Sequence, residues 1–334
     1  MIGIADRITH AETLLAGLSS HELAARAARI SAGYRDNLAS RVIVRDDTDA
    51  AIYALMRMPA TAAAVSAALD AFRERAPDFA PKTVVDAGAG PGTAGLCASE
   101  HWPEAELCLC DVHAGLLALA QRLMEAGGET ARFVETDLAR GGADLPMGDL
   151  VISSYALTEL SDAAYAHAAE NLWHAAAAAL VVVEPGRPRD HMRLMDFRAW
   201  AIGQGAHVAA PCPHMRDCPL TGTDWCHFSV RLPRSRTHRR LKAGALGYED
   251  EKVSYLVLTR ADVALVPALP RVLASPEAQK HEIRFKLCEP DGEEAWRGVA
   301  RKNPQFGRIR RVRWGDTLSG LDVGAATRTI DLIG

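Results

Sequence analysis

The chain has 334 residues, enough for one large domain with appendages or for two domains, and its 49% hydrophobic content can fill a real core. A formal net charge of −4 excludes a uniformly basic nucleic-acid binder, so such a partner would have to be met by local basic patches. The opening MIGIADRITHAETLLAGLSS lacks the basic-then-apolar layout of an export signal, and the most apolar run, Ala175 to Val183, is far short of the roughly 20 residues that cross a bilayer. A cytoplasmic protein with no membrane partner is expected, in a compartment where clustered thiols more often bind metal than pair as disulfides.

From about Ile8 to Phe79, stretches such as HELAARAARISAGYRD and TAAAVSAALDAFRERA repeat apolar residues every three to four positions, which predicts a helical N-terminal domain over residues 1–78. Pro59, in MRMPAT, is expected at a turn or a helix start between two helical stretches. From Pro81 the period changes. TVVDAGAG, AELCLCDV, DLVISSYAL and ALVVVEPG read as short β-branched strands separated by helical segments, a pattern that predicts a parallel, doubly wound α/β sheet over residues 79–260. Beyond Glu184 the alternation weakens into a cysteine-rich insertion at about residues 205–245, after which KVSYLVLTR reads as a returning strand. Residues 261–334, with strand-like segments around a Pro-Asp-Gly turn, predict a small β-rich C-terminal module of barrel or hairpin type.

The segment VVDAGAGPGTAG places Gly88, Gly90 and Gly92 directly after a strand and at the mouth of a helix, where glycines let the backbone turn sharply and approach a nucleotide. Asp86 ends that first strand. Asp111, 19 residues beyond Gly92, stands where an acid at the end of the second strand grips a ribose. The acid followed by G-x-G-x-G resembles motif I of class I S-adenosylmethionine methyltransferases, and ETDLA puts Asp137 where that class reads the adenine. After the fourth strand the chain reads SSYALTE, without the Asn/Asp-Pro-Pro-aromatic motif of amino-methylating enzymes and without a cysteine nucleophile. Tyr155 and Glu159 either border the cofactor and its transferred methyl group or serve as packing and capping residues.

The stretch APCPHMRDCPLTGTDWCHF holds Cys212, Cys218 and Cys226 within fifteen positions, beside His214 and His227. A Cys3His zinc site is one reading, since zinc accepts mixed thiolate and imidazole ligands. An iron-sulfur cluster usually takes four thiolates, so a fourth cysteine must come from elsewhere. Cys97 follows the glycine loop on a helix, and Cys108 and Cys110 lie in the second strand; Cys288, in RFKLCEPDG, sits at a strand end beside a turn, where either a ligand or an ordinary half-buried cysteine would be at home.

The combination of MRMPAT, DAGAGPGTA, SYALTEL, EPG, the CPH, CP and WCHF triplet, KVSYLVLTR, KLCEPDG and a closing RRVRWGD resembles the bacterial relatives of the mitochondrial small-ribosomal-subunit methyltransferase-like proteins. It covers nearly the whole chain beyond the first fifty residues. The resemblance implies S-adenosyl-L-methionine as cofactor and a [4Fe-4S] cluster bound by Cys212, Cys218, Cys226 and Cys288, with the neighbouring prolines and Trp225 shaping and shielding it. It also implies the small ribosomal subunit, or its rRNA, as the partner of a chain expected to be monomeric.

Two basic blocks, RLPRSRTHRRLK and RGVARKNPQFGRIRRVRW, flank these cysteines. Arg231, Arg234, Arg236, Arg239, Arg240, Arg308, Arg310 and Arg311 are candidates for the RNA backbone, with Phe306 and Trp314 to stack on bases. Two further readings stand beside an rRNA methyltransferase: a non-catalytic assembly factor that keeps the fold, and a small-molecule methyltransferase with a structural zinc site.

Overall fold

A computed structural model describes residues 3–35, 40–140, 144–242 and 244–318. Helices α1 (Ile4–Thr13), α2 (Ser20–Arg35), α3 (Ser40–Ile43) and α4 (Asp47–Arg75) come first. Asp46 caps α4 by accepting the Asp49 amide at 2.8 Å. The Asp49 carboxylate is fully buried, and it takes the Arg26 and Arg29 guanidiniums, which ties α2 to α4.

Helix α4 runs without interruption through Pro59, contrary to the turn or helix start expected there. The proline forfeits only the bond its missing N–H would make to the Leu55 carbonyl. Burial on nearly every side outweighs that loss, because Ala50, Leu55, Met58, Val65, Leu69 and Phe72 all lie in the core. Among the described residues α4 is the one helix long and apolar enough to cross a membrane, and 67% of its apolar window is buried inside the protein.

Strands β1 (Thr83–Ala87), β2 (Glu106–Asp111), β3 (Ala131–Glu135), β4 (Gly148–Ser154) and β5 (Ala176–Pro185) are parallel; β6 (His207–Ala210), β7 (Phe228–Pro233) and β8 (Tyr248–Thr259) complete an eight-stranded sheet. Its order is β3-β2-β1-β4-β5-β8-β6, with β8 antiparallel to β5, β6 and β7. The parallel strands are joined through α5 (Thr93–His101), α6 (Ala114–Glu125) and α7 (Asp162–Ala175), while α8 (Pro188–Gly203) links β5 to β6. The two-residue period of the strands sorts their side chains onto two faces. Val84, Leu109, Ile152 and Val183 pack with α4, α5 and α6, whereas Val85, Cys110, Val151 and Val182 pack with α7 and α8.

The short helix α9 (Arg236–Leu241) follows β7. Beyond β8, β9 (Arg271–Val272), β10 (Glu277–Ala278), β11 (Glu282–Cys288) and β12 (Glu294–Ala300) form a second, antiparallel sheet, closed by α10 (Phe306–Ile309) over a core of Val272, Phe285, Leu287, Val299 and Ile309. The β11–β12 hairpin turns on Pro290-Asp291-Gly292, where Gly292 has φ +90°. In the large sheet the strand order reverses between β1 and β4. Ligands of such sheets bind at that switch point, outside the carboxyl ends of the strands.

Candidate functional site

A cleft opens at that switch point, lined by Gly88, Ala89, Gly90 and Pro91 after β1, Asp111 at the end of β2, Thr136, Asp137 and Leu138 after β3, and Ser154, Tyr155 and Ala156 after β4. The cleft is open to solvent and leaves about 170 Å³ of free space between its walls. The glycine loop is fixed from both sides: Gly88 and Ala89 donate to the Cys110 carbonyl at 2.8 and 2.9 Å, and the Gly90 amide donates to Asp111 Oδ2 at 2.7 Å. Gly88 has φ +76°, and a Cβ there would lie 2.3 Å from the Ala156 Cβ. Gly90 has φ +52° and faces open space, which leaves bare backbone toward the cleft.

Asp86 and Gly92 do not line the cleft. Asp86 is buried beneath the loop, where Oδ2 accepts the Gly95 amide of α5 at 2.7 Å and Oδ1 has no partner. Burial pushes its carboxyl up to about 7. Gly92, with φ +81°, packs under the loop against Leu109 and Ala120. Asp137 borders the cleft and caps its own turn by accepting the Ala139 amide at 2.9 Å. Burial also raises the Asp111 carboxyl, which the amides of Gly90 and His113 offset.

The opposite wall was not foreseen from the sequence. Tyr53, Arg57 and Thr61, spaced four apart on α4, form one helical stripe that lines the cleft, with Ser40 of α3 beside them. The Ser40 amide and hydroxyl donate to Glu159 at 3.1 and 2.6 Å, so the N-terminal helices are latched to the segment after β4. Tyr155 has φ +56°, the one non-glycine residue with left-handed backbone among the described residues. Its amide donates to the Val183 carbonyl at 2.8 Å, its hydroxyl donates to Glu251 Oε1 at 3.0 Å, and the Arg57 guanidinium lies 5.5 Å over its ring. Strain of this kind costs on the order of 1–3 kcal/mol and concentrates at working sites. A bare glycine backbone, an acid at the end of β2 and a cleft lined by both polar and apolar side chains fit S-adenosyl-L-methionine, which Gly88, Gly90, Asp111, Asp137 and Tyr155 would border.

A second pocket lies between the large sheet and the C-terminal module. Cys212, Cys218 and Cys226, from the loop joining β6 to β7, and Cys288, from the end of β11, all line it. Pro211, Pro219, Leu220, Phe228, Tyr255 and Leu273 enclose them in apolar surface. Burial, and the mutual proximity of the four sulfurs, push the Cys226 thiol well up and the Cys288 thiol up to about 12. Four thiols lining one largely apolar pocket fit an iron-sulfur cluster by donor chemistry. Among the described residues no group of three or more His, Cys, Asp or Glu side chains is gathered to hold a single metal ion. His214 Nε2 lies 3.2 Å from Cys288 Sγ, whereas His227 is engaged elsewhere: its ring stacks on Trp225 at 4.8 Å, and its nitrogens meet the Trp225 carbonyl and the Lys252 ammonium. Trp225 itself does not line the pocket; its indole donates to the Gly186 carbonyl at 3.1 Å.

Two buried arginines beside the thiols were also missed, because charge ordinarily marks a surface. Arg198 falls on the buried stripe of α8 with Leu194, Phe197 and Ala201, a helical spacing that could have revealed it. Arg271 ends up inside the same pocket, on β9.

The basic blocks are carried by different parts of the fold, α9 against α2 and α4, and α10 against β12. In the first block Arg231 pairs with Asp250 and stacks on Tyr248, and Arg234 pairs with Glu249, so both are engaged within the protein. Arg236 and Arg240 are exposed, Arg239 half-buried. Arg308, Arg310 and Arg311 are exposed around α10, and among the described residues Arg310 and Arg311 have no carboxylate partner. Trp314 is not free for a base: His227 meets it edge-on at 4.8 Å and the Lys252 ammonium lies 5.1 Å over its ring. Phe306 packs against the C-terminal core.

The strand order 3-2-1-4-5, a reversed strand next to β5 and a glycine loop at the switch point define a class I methyltransferase fold. The chain belongs to the family described as mitochondrial small ribosomal subunit Rsm22, which matches residues 47–319 and bears out the resemblance read from the motifs. It is 29% identical over 298 residues to the human mitochondrial ribosome assembly protein METTL17, covering 82% of this chain and 63% of that relative's length. Among solved structures it is similar to the plantazolicin methyltransferase BpumL in complex with SAH (TM-score 0.44, 11% identity, 72% of this chain and 97% of that one). A magnesium protoporphyrin IX methyltransferase from Synechocystis PCC 6803 with bound SAM matches at TM-score 0.40 and 17% identity, over 74% of this chain and 99% of that one.

Proposed function

We propose that the chain binds S-adenosyl-L-methionine in the switch-point cleft and a [4Fe-4S] cluster in the thiol pocket, and that it acts as a cytoplasmic monomer on small-subunit rRNA during ribosome assembly. The observation that carries this reading is the pocket: Cys288 is brought from 62 positions beyond Cys226 to the same apolar enclosure as the other three thiols. When bound, the cluster joins the β6–β7 loop to the C-terminal module, and the cofactor offers a methyl group on a good leaving group. The relative's role in mitochondrial ribosome assembly supports the choice of partner, and the exposed Arg308, Arg310 and Arg311 suit a phosphate backbone.

A non-catalytic assembly factor is the second reading, and the engaged Tyr155 favours it. The position where a planar acceptor would be gripped holds a side chain already bonded to Glu251 and covered by Arg57. Sedimentation of cell extracts tests both. The protein should travel with small-subunit particles, and a protein confined to the top of the gradient contradicts the proposal. Gly90→Arg fills the cleft; if that variant still associates and supports growth, assembly does not need methyl transfer.

A further inference from the structure

Arg198 and Arg271 are 3% and 4% exposed. Their hydrogen bonds go to carbonyls: Arg198 Nη2 donates to His214 at 2.8 Å, and Arg271 donates through Nε to Pro211 at 3.2 Å and through Nη1 to Gly315 at 2.8 Å. Among the described residues neither has a carboxylate partner, and Arg198 Nε is buried with no partner at all. Arg75 adds a third cation nearby, donating to the Ala209 carbonyl at 3.1 Å and repelling Arg271. Unpaired buried charge costs several kcal/mol per ion, so proteins seldom keep it without a counter-charge.

The groups that these cations face are thiols. Arg271 lines the pocket with all four cysteines, and Arg198 reaches the Cys212 sulfur. Protonated thiols are neutral and compensate nothing. A metal-sulfur cluster held by four thiolates is a net anion, and it would meet both guanidiniums at once.

We propose that Arg198 and Arg271 are the charge-compensating residues of the thiol pocket, which hold its anionic iron-sulfur occupant and raise that occupant's reduction potential. The inference rests on the cluster reading above. One added electron makes the occupant more negative, and a fixed positive charge stabilises that reduced form. Without the occupant the same two cations are left uncompensated, so they stabilise the loaded protein and penalise the empty one. Arg271 has a further consequence: it bonds the cysteine loop at Pro211 and the C-terminal segment at Gly315, so the residue that answers the occupant's charge also clasps the two parts together.

The test uses full-length protein purified without oxygen, as wild type, Arg198→Gln, Arg198→Lys and Arg271→Gln. Redox titration followed by visible absorption should show the potential of Arg198→Gln lowered by at least a tenfold change in the reduction equilibrium, about 59 mV for one electron, and Arg198→Lys should restore most of it. Thermal melts should show loaded Arg198→Gln less stable than loaded wild type, and empty Arg198→Gln no less stable than empty wild type. Equal losses in both states, or an unchanged potential, would make the arginines merely structural and overturn the inference. If Arg198→Gln does not fold, Arg271→Gln is judged by the same potential shift. A wild-type protein that takes up no iron overturns the cluster reading itself, and the inference with it.

Discussion

The Asp111 carboxylate accepts the Gly90 amide at 2.7 Å, so the acid that ends β2 also holds the loop that ends β1. Its other oxygen accepts the His113 amide at 2.8 Å, at the start of α6. One side chain therefore sets two walls of the cleft.

Asp111→Asn turns one of these acceptors into a donor facing an N–H. Leaving a buried donor unsatisfied costs about 1–3 kcal/mol. Titration calorimetry with S-adenosylhomocysteine should show affinity reduced about tenfold or more, with the fold retained by circular dichroism.

Gly88 and Gly90 should respond differently to alanine. At Gly88 the new methyl meets Ala156 at 2.3 Å in a left-handed backbone, while at Gly90 only the backbone conformation objects. Thermal denaturation should show a loss of about 3 kcal/mol for Gly88→Ala and about 1 kcal/mol for Gly90→Ala.

The buried Asp86 carboxyl, raised to about 7 in the folded protein from 3.8, binds a proton more readily folded than unfolded. Its contribution is present below about pH 3.8 and is lost as pH rises through about 7, at up to about 1.4 kcal/mol per pH unit. His191 and His238, lowered by burial to about 4, act oppositely, since their contribution is lost as pH falls through about 4. The wild-type profile is thus partly flattened. Subtracting the Asp86→Asn profile, by urea denaturation from pH 4 to 8, should isolate a wild-type stability that declines with rising pH.

Arg310→Glu with Arg311→Glu should weaken association with small-subunit rRNA and make the salt dependence shallower by about one unit of log–log slope per lost phosphate contact. Arg231→Glu should act mainly by breaking its pair with Asp250. Filter binding at several salt concentrations separates the two.

Much of the architecture was legible because local pattern and burial agree. The β-branched runs at Val84-Val85 and Val181 to Val183 became central strands, and KVSYLVLTR became the reversed strand β8. Strand β3 was harder to see, since Arg132 and Glu135 break its apolar run at the sheet's edge. Pro59 misled because tertiary burial overrode local propensity. The glycine loop was readable as a motif, but the roof of Tyr53 and Arg57 depends on where α4 lies, which no local pattern records. Arg198 and Arg271 were hidden for a similar reason, as their surroundings are assembled from distant segments.

The most direct test of the account is the iron, zinc and acid-labile sulfide content, with a visible spectrum, of wild type and Cys288→Ser purified without oxygen. The account predicts about four iron and four sulfide per chain with a broad visible absorbance, lost or made labile in Cys288→Ser. Stoichiometric zinc with no visible chromophore, unchanged by the substitution, would contradict it.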